Sequence, residues 1–218
     1  MKLLALSFLA FALVAAKAPE PEPAAAPAAL PVVAPADIAA NPANRLILQL
    51  SNGGIVVIQL RPDAAPNHVQ RIQTLVRQHF YDGTIFHRVI PGFMAQGGDP
   101  TGTGEGGSKL PDLKAEFNSL PHLRGTVAAA RTSDNTDTAN SQFYIMFVPN
   151  SSLDGEYTVF GRVISGMDAV DKIAPGEPPA NPTKIVHASL GDGTPSAAPA
   201  APTQQQPEAV QQENTPGG

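Results

Sequence analysis

Short apolar runs separated by turn residues dominate residues 44–192. Leu46-Ile47-Leu48-Gln49-Leu50 and Ile55-Val56-Val57-Ile58-Gln59-Leu60 flank Ser51-Asn52-Gly53-Gly54. Two β-rich runs around a Gly-containing turn predict a hairpin. The pattern then changes period. From Pro66 to Arg77, Val69, Ile72 and Val76 fall on one face of a helix, and Pro66 suits its first position. Further strands are predicted at 85–90, 93–97, 126–130, 142–148, 157–164 and 184–190, and a second short helix from Gly166-Met167 to Ile173. Many strands with few helices predict a mainly β domain, a barrel or a sandwich.

Composition divides the 218-residue chain. Residues 1–16 have Lys2 ahead of an apolar run and end in Val14-Ala15-Ala16, the pattern of a cleaved signal peptide. That run is too short to cross a bilayer of about 30 Å comfortably. Residues 17–43 are rich in Pro and Ala and predict a disordered linker, because Pro blocks helix propagation and little apolar surface is available. Residues 44–192 form the expected globular domain, and 193–218 a disordered Pro/Gln-rich tail. The expected location is therefore periplasmic or secreted, without stable membrane insertion once the signal is removed.

Charge and residue usage remove several functional classes. The net charge is −5 with no Lys/Arg run, which argues against nucleic acid as a partner. There is no Cys, so thiolate catalysis and disulfides are excluded. The five histidines, at 68, 79, 87, 122 and 187, form no HxH or HxxxH pair, so the sequence predicts no metal site. Gly102-Thr103-Gly104-Glu105-Gly106-Gly107 matches GxGxxG, but Lys109-Leu110-Pro111 follows where a phosphate-binding helix would have to start. It reads as a surface loop.

The stretch Phe86-His87-Arg88-Val89-Ile90-Pro91-Gly92-Phe93-Met94-Ala95-Gln96-Gly97-Gly98-Asp99 places an Arg near an aromatic ring, a thioether and an amide. By itself this is compatible with a core strand, a Pro-Gly turn and a surface Arg. It resembles the cyclophilin signature almost residue for residue. Ala139-Asn140-Ser141-Gln142-Phe143-Tyr144-Ile145 and Leu153-Asp154-Gly155, followed by Tyr157-Thr158-Val159-Phe160-Gly161-Arg162-Val163, resemble two further segments of that family in the same order. The resemblance covers about residues 45–190.

The resemblance implies a closed eight-stranded antiparallel β-barrel capped by two α-helices, and an isomerase acting on X–Pro bonds. It implies Arg88 as the catalytic arginine and Gln96 as the glutamine that orients it. It implies Phe93, Met94, Phe143 and Leu153 as walls of a proline pocket, with Gln142 and the backbone near Ala130 holding the peptide and Tyr157 at the rim. Two departures stand out: Arg131 where many relatives have Asn, and Ser152 where cyclosporin-sensitive members have Trp. His87, adjacent to Arg88, is expected to face away from the groove, because neighbouring strand residues alternate faces.

These residue types suit bond rotation without proton transfer. Amide resonance gives a barrier of roughly 18–20 kcal/mol. Twisting returns a lone pair to the proline nitrogen, and a fixed N–H donor stabilises that state more than the planar one. A guanidinium supplies such donors at any ordinary pH, so no cofactor is required. The expected partners are Pro-containing unfolded or flexible polypeptides, bound by a monomer. The alternative is a cyclophilin-fold module or chaperone that binds Pro-containing segments with little turnover.

Overall fold

The computed structural model describes residues 29–191. The expected signal peptide, the first part of the linker and the C-terminal tail lie outside the described residues. The predicted hairpin is formed by β1 (Arg45–Leu50) and β2 (Ile55–Leu60), paired from Arg45↔Gln59 to Gln49↔Ile55. Gly53 takes a φ of +83° in its turn, a conformation open to glycine at little cost. α2 (Pro66–Arg77) buries Val69, Ile72, Leu75 and Val76. The remaining strands are β3 (Ile85–Ile90), β4 (Met94–Asp99), β5 (Thr126–Ala129), β6 (Phe143–Met146), β7 (Val159–Ser165) and β8 (Ile185–Leu190).

All eight strands join one antiparallel sheet in the order β3-β4-β6-β5-β7-β2-β1-β8. The sheet curls but does not close as predicted. Its edge strands meet at one isolated bridge, Ile85↔Lys184. Two backbone bonds accompany it, Phe86 N to Thr183 O at 3.0 Å and Ile185 N to Thr84 O at 2.8 Å. Farther along, β3 is paired by another segment: Val89 and Gly176 exchange N–H···O bonds of 2.8 and 2.9 Å. Those bonds occupy the edge that a β3–β8 ladder would need.

The concave face holds the main core, including Leu46, Leu48, Ile58, Leu60, Phe86, Phe143, Ile145, Phe160 and Ile185. α2 packs over β7 and β8, and α3 (Met167–Val170), shorter than predicted, lies against β2. A smaller cluster sits on the other face of the β4–β6–β5 region: Met94, Leu120, Ala128, Tyr144, Met146 and Val159. Strand alternation separates the two clusters.

Residues 29–43, expected to be part of the disordered linker, are docked on the domain. They carry α1 (Ala36–Ala40) and lead into a 3-10 turn at Pro42–Asn44. Leu30 N donates to Ser119 Oγ at 2.8 Å. The Arg61 side chain is buried and donates from Nη1 to Pro31 O at 2.9 Å and Val32 O at 3.3 Å, while Asp63 takes its Nε and Nη2. A Pro-rich strand lacks donors but keeps its carbonyl acceptors. A buried guanidinium supplies what such a segment lacks.

Candidate active site

One register row crosses five strands of the sheet: Arg88↔Gln96↔Tyr144↔Ala128↔Val159. These residues project toward the smaller cluster. Above them a cleft of about 270 Å³ is lined by Arg88, Phe93, Met94, Gln96, Ala130, Arg131, Tyr144, Leu153 and Tyr157. Of the residues expected from sequence, Arg88, Gln96, Phe93, Met94, Ala130, Leu153 and Tyr157 are brought together there. Leu153 comes from a 3-10 turn, Ser151–Leu153, capped by the Asn150 side chain.

Phe143 is not in the cleft. It belongs to the adjacent row Gly97↔Phe143↔Ala129, is 1% exposed, and packs edge-on against Tyr81 and Phe86 in the main core. Its neighbour Tyr144 takes the wall position. A shift of one residue along a strand reverses the face, and Phe143-Tyr144 offers an aromatic ring to either side. The buried Tyr144 hydroxyl lies 3.1 Å from His122 Nε2. Asp154 Oδ1 accepts from His122 N at 2.7 Å and sits 2.9 Å from Nδ1. With Nδ1–H on the carboxylate, Nε2 accepts the tyrosine O–H. Burial pushes the Tyr144 phenol well above its ordinary pKa. Sequence reasoning did not include His122, because its connection to the cleft runs through a residue on another strand.

Gln96 does not bond Arg88. Gln96 Nε2 donates to Gln142 Oε1 at 2.8 Å, and Gln142 Nε2 donates to Gly104 O and Gly106 O, both at 2.8 Å. Gln142 lines an adjoining cleft of about 530 Å³, which shares Gln96, Ala130 and Arg131 with the apolar one. The Gly-rich loop is, as predicted, a loop, wound around Asp99. Asp99 accepts from Thr101 N (2.7 Å), Thr101 Oγ1 (2.8 Å), Gly104 N (2.6 Å) and Gly106 N (3.2 Å). Burial alone would raise its pKa, but these donors hold the carboxyl at about 2. A charged, buried carboxylate therefore shapes the loop whose carbonyls fix Gln142 and, through it, Gln96.

Arg88 is held from the other side. Its Nε donates to Glu177 Oε2 at 2.7 Å, with the two side chains 42% and 52% exposed. No protein acceptor bonds its Nη atoms among the described residues, so those donors remain for a ligand. The strict alternation expected at His87 fails. A β-bulge lies between Phe86 and Arg88, so His87 is an extra residue opposite β4. Its buried ring lines a third cleft with Arg88, Gln96, Gly104 and Glu177. Arg131 stacks over the Tyr157 ring at 4.5 Å from its centroid and donates from Nη2 to Glu156 O at 3.1 Å. It forms a cleft wall that is cationic at its tip.

Comparison with known proteins agrees with this geometry. The sequence model described as cyclophilin type peptidyl-prolyl cis-trans isomerase/CLD matches residues 45–190. A probable peptidyl-prolyl cis-trans isomerase of Brucella suis is 51% identical over 168 residues, covering 70% of this chain and 85% of the relative. Peptidyl-prolyl cis-trans isomerase B of Bacillus subtilis is 41% identical over 128 residues, 59% of this chain and 89% of that one. Among solved structures, a cyclophilin from Hirschia baltica superposes with a TM-score of 0.65 at 31% identity, covering 71% of this chain and 77% of that chain. A Cryptosporidium parvum cyclophilin, solved in the presence of the dipeptide Ala-Pro, gives a TM-score of 0.62 at 28% identity over 67% of this chain and 98% of that one. A β-rich curled sheet, a largely apolar cleft beside Arg88 and these likenesses together make this chain a member of the cyclophilin family of peptidyl-prolyl cis–trans isomerases.

Proposed function

We propose that the chain catalyses X–Pro isomerisation in exported polypeptides, and that Arg88 carries the reaction by stabilising the twisted amide. One observation carries this reading: a guanidinium fixed at Nε by Glu177, with its Nη donors unspent, stands over a cleft of Phe93, Met94, Tyr144, Leu153 and Tyr157. The apolar walls hold the proline ring while the peptide on its other side rotates. Uncatalysed exchange takes tens to hundreds of seconds. Bringing it to milliseconds requires about 7 kcal/mol of preferential transition-state stabilisation. A charged donor aimed at the developing nitrogen lone pair in a site that sheds water supplies part of that. The Ala-Pro dipeptide present with the Cryptosporidium relative supports a proline-containing ligand. The apolar run at residues 3–14 behind Lys2 supports export.

The test is turnover of a short X–Pro peptide by Arg88→Ala, with thermal unfolding measured in parallel. The expected result is a folded variant slowed by about 2–4 kcal/mol in barrier, the loss typical of removing a transition-state donor. Near-native turnover in that variant refutes the arginine mechanism. Peptide binding without turnover in the natural protein would instead identify a binding module.

A further inference from the structure

Two residues of the turn after α2 and a third, distant in sequence, meet on the surface. His79 and Asp82 belong to the turn between α2 and β3, and His187 is on β8. His79 Nδ1 lies 3.1 Å and His187 Nδ1 2.9 Å from the same oxygen, Asp82 Oδ2. The two imidazoles are stacked, with centroids 5.7 Å apart. The second oxygen, Asp82 Oδ1, is fixed by Ala188 N at 2.8 Å, which sets the carboxylate plane.

We propose that His79, Asp82 and His187 form a binding site for a divalent first-row transition ion of the Zn²⁺ class. Two imidazoles and one carboxylate are a ligand set suited to Zn²⁺, with Zn–N of about 2.0–2.1 Å and Zn–O of about 2.0–2.2 Å. Tetrahedral bonds of that length separate ligand atoms by roughly 3.4 Å. The potential ligand atoms already lie within 4.8 Å of one another, and two of the pairs are near 3 Å. Occupancy needs those two pairs to open by a few tenths of an ångström, with the two imidazole nitrogens settling at the same spacing from each other. Each neutral imidazole would carry its proton on Nε2, freeing Nδ1 for the ion. The His79 side chain is 68% exposed, so the fourth position is open to water. Hard ions such as Mg²⁺ fit poorly, because they take oxygen ligands. The Ala188 N–H acts as the outer partner that orients the ligating carboxylate.

A second observation points the same way. α2 ends in a Schellman-type turn: His79 N donates to Val76 O at 3.0 Å and Phe80 N to Leu75 O at 3.0 Å. His79 occupies the left-handed position of this turn with φ +55°. Glycine is the usual residue there, and a side chain is strained in that conformation. That strained position places an imidazole beside His187. The ion would tie this turn to the edge strand β8, away from the groups assigned to peptide binding.

The test uses the untagged full chain, calorimetric titration with ZnCl₂ in chelator-free buffer, and thermal unfolding with and without the metal. All five histidines lie in the described residues and there is no Cys, so competing soft ligands are few. The expected result is one Zn²⁺ per chain, a higher Tm with Zn²⁺, and no such response to MgCl₂. His79→Gly is the decisive variant, because it relieves the positive φ while deleting a ligand. It should raise the metal-free Tm and weaken Zn²⁺ binding by about tenfold or more; Asp82→Asn should weaken Zn²⁺ binding to a similar degree. Absence of Zn²⁺ binding by the natural chain, or equal affinity in His79→Gly, overturns the proposal.

Discussion

Arg88 and Glu177 form the contact that positions the site's cation: Arg88 Nε donates to Glu177 Oε2 at 2.7 Å. The segment that delivers Glu177 also pairs with β3 through Gly176, at the place where the sheet stops short of closing. An exposed pair of this kind contributes about 0–1 kcal/mol to stability. Its effect should therefore be on catalysis. Glu177→Ala is expected to lower kcat and kcat/KM together, by about threefold to tenfold, with Tm almost unchanged. Glu177→Gln keeps an acceptor and should fall between. Unchanged kcat in folded Glu177→Ala would show that Arg88 is positioned without it.

The faces of Phe143 and Tyr144 predict opposite phenotypes. Phe143 is packed among Tyr81 and Phe86, so Phe143→Ala should cost about 3–5 kcal/mol of stability. Phe143→Leu, a milder change, should lower Tm yet leave turnover of the folded protein near normal. Tyr144→Ala should cost about tenfold or more in kcat/KM, near 1.4 kcal/mol, through loss of the cleft wall. Peptide turnover and thermal unfolding of the Leu and Ala variants check the pair. A Phe143→Leu defect confined to turnover would contradict the assignment of faces.

Glu116 caps α2 from a distance. Ala65, at the N-cap, offers no side-chain acceptor. Glu116 Oε1 instead accepts from Asn67 N (3.1 Å) and Asn67 Nδ2 (2.7 Å). Its Oε2 accepts from His68 N at 3.0 Å and meets His68 Nδ1 at 2.6 Å. Burial would raise its pKa, but these partners hold it below the ordinary value. Glu116→Ala should cost about 1–2 kcal/mol, the scale of a lost cap, and should spare turnover. Chemical denaturation checks the first and the peptide assay the second.

Stability should depend on pH in two steps. Burial lowers the pKa of His68, His87 and His122 below the ordinary 6.5, outweighing the carboxylates beside His68 and His122. The unfolded chain then takes up protons more readily than the folded one, so stability is lost as pH falls below about 6.5. Asp99, held at about 2 against an ordinary 3.8, contributes stability above pH 3.8 that is lost as pH falls toward 2. Thermal unfolding should show Tm falling by about 2–4 °C per kcal/mol lost. A flat Tm from neutral pH down to about 5 contradicts the first step.

Local pattern was sufficient for much of this molecule. The β1–β2 hairpin, the span of α2 and most strand positions follow from period and turn chemistry, which act between near neighbours. The same holds for the loop character of residues 102–107, since a GxGxxG without a following helix start has no phosphate site to build. The arginine beside an apolar wall in the Phe86–Asp99 segment was legible only through its resemblance to a family signature, since the stretch alone also fits a core strand with a surface Arg. What depended on partners distant in sequence was not legible. The resemblance alone put Phe143 at the pocket, whereas the pairing of β4, β6 and β5 turns Tyr144 to the cleft and Phe143 to the main core. A one-residue bulge at His87 reversed an inference from alternation. Arg88 met Glu177 rather than Gln96 because the 174–178 segment took the edge of β3 that a closed barrel would have used. Residues 30–32 docked because Arg61, buried on another segment, presents donors to carbonyls that no local pattern marks. His79 and His187 look solitary along the chain and become neighbours because β8 runs beside the turn that follows α2. Periodicity reports which side of its own element a residue takes; which groups meet across elements is decided by register, bulges and edge pairing, and these are tertiary quantities.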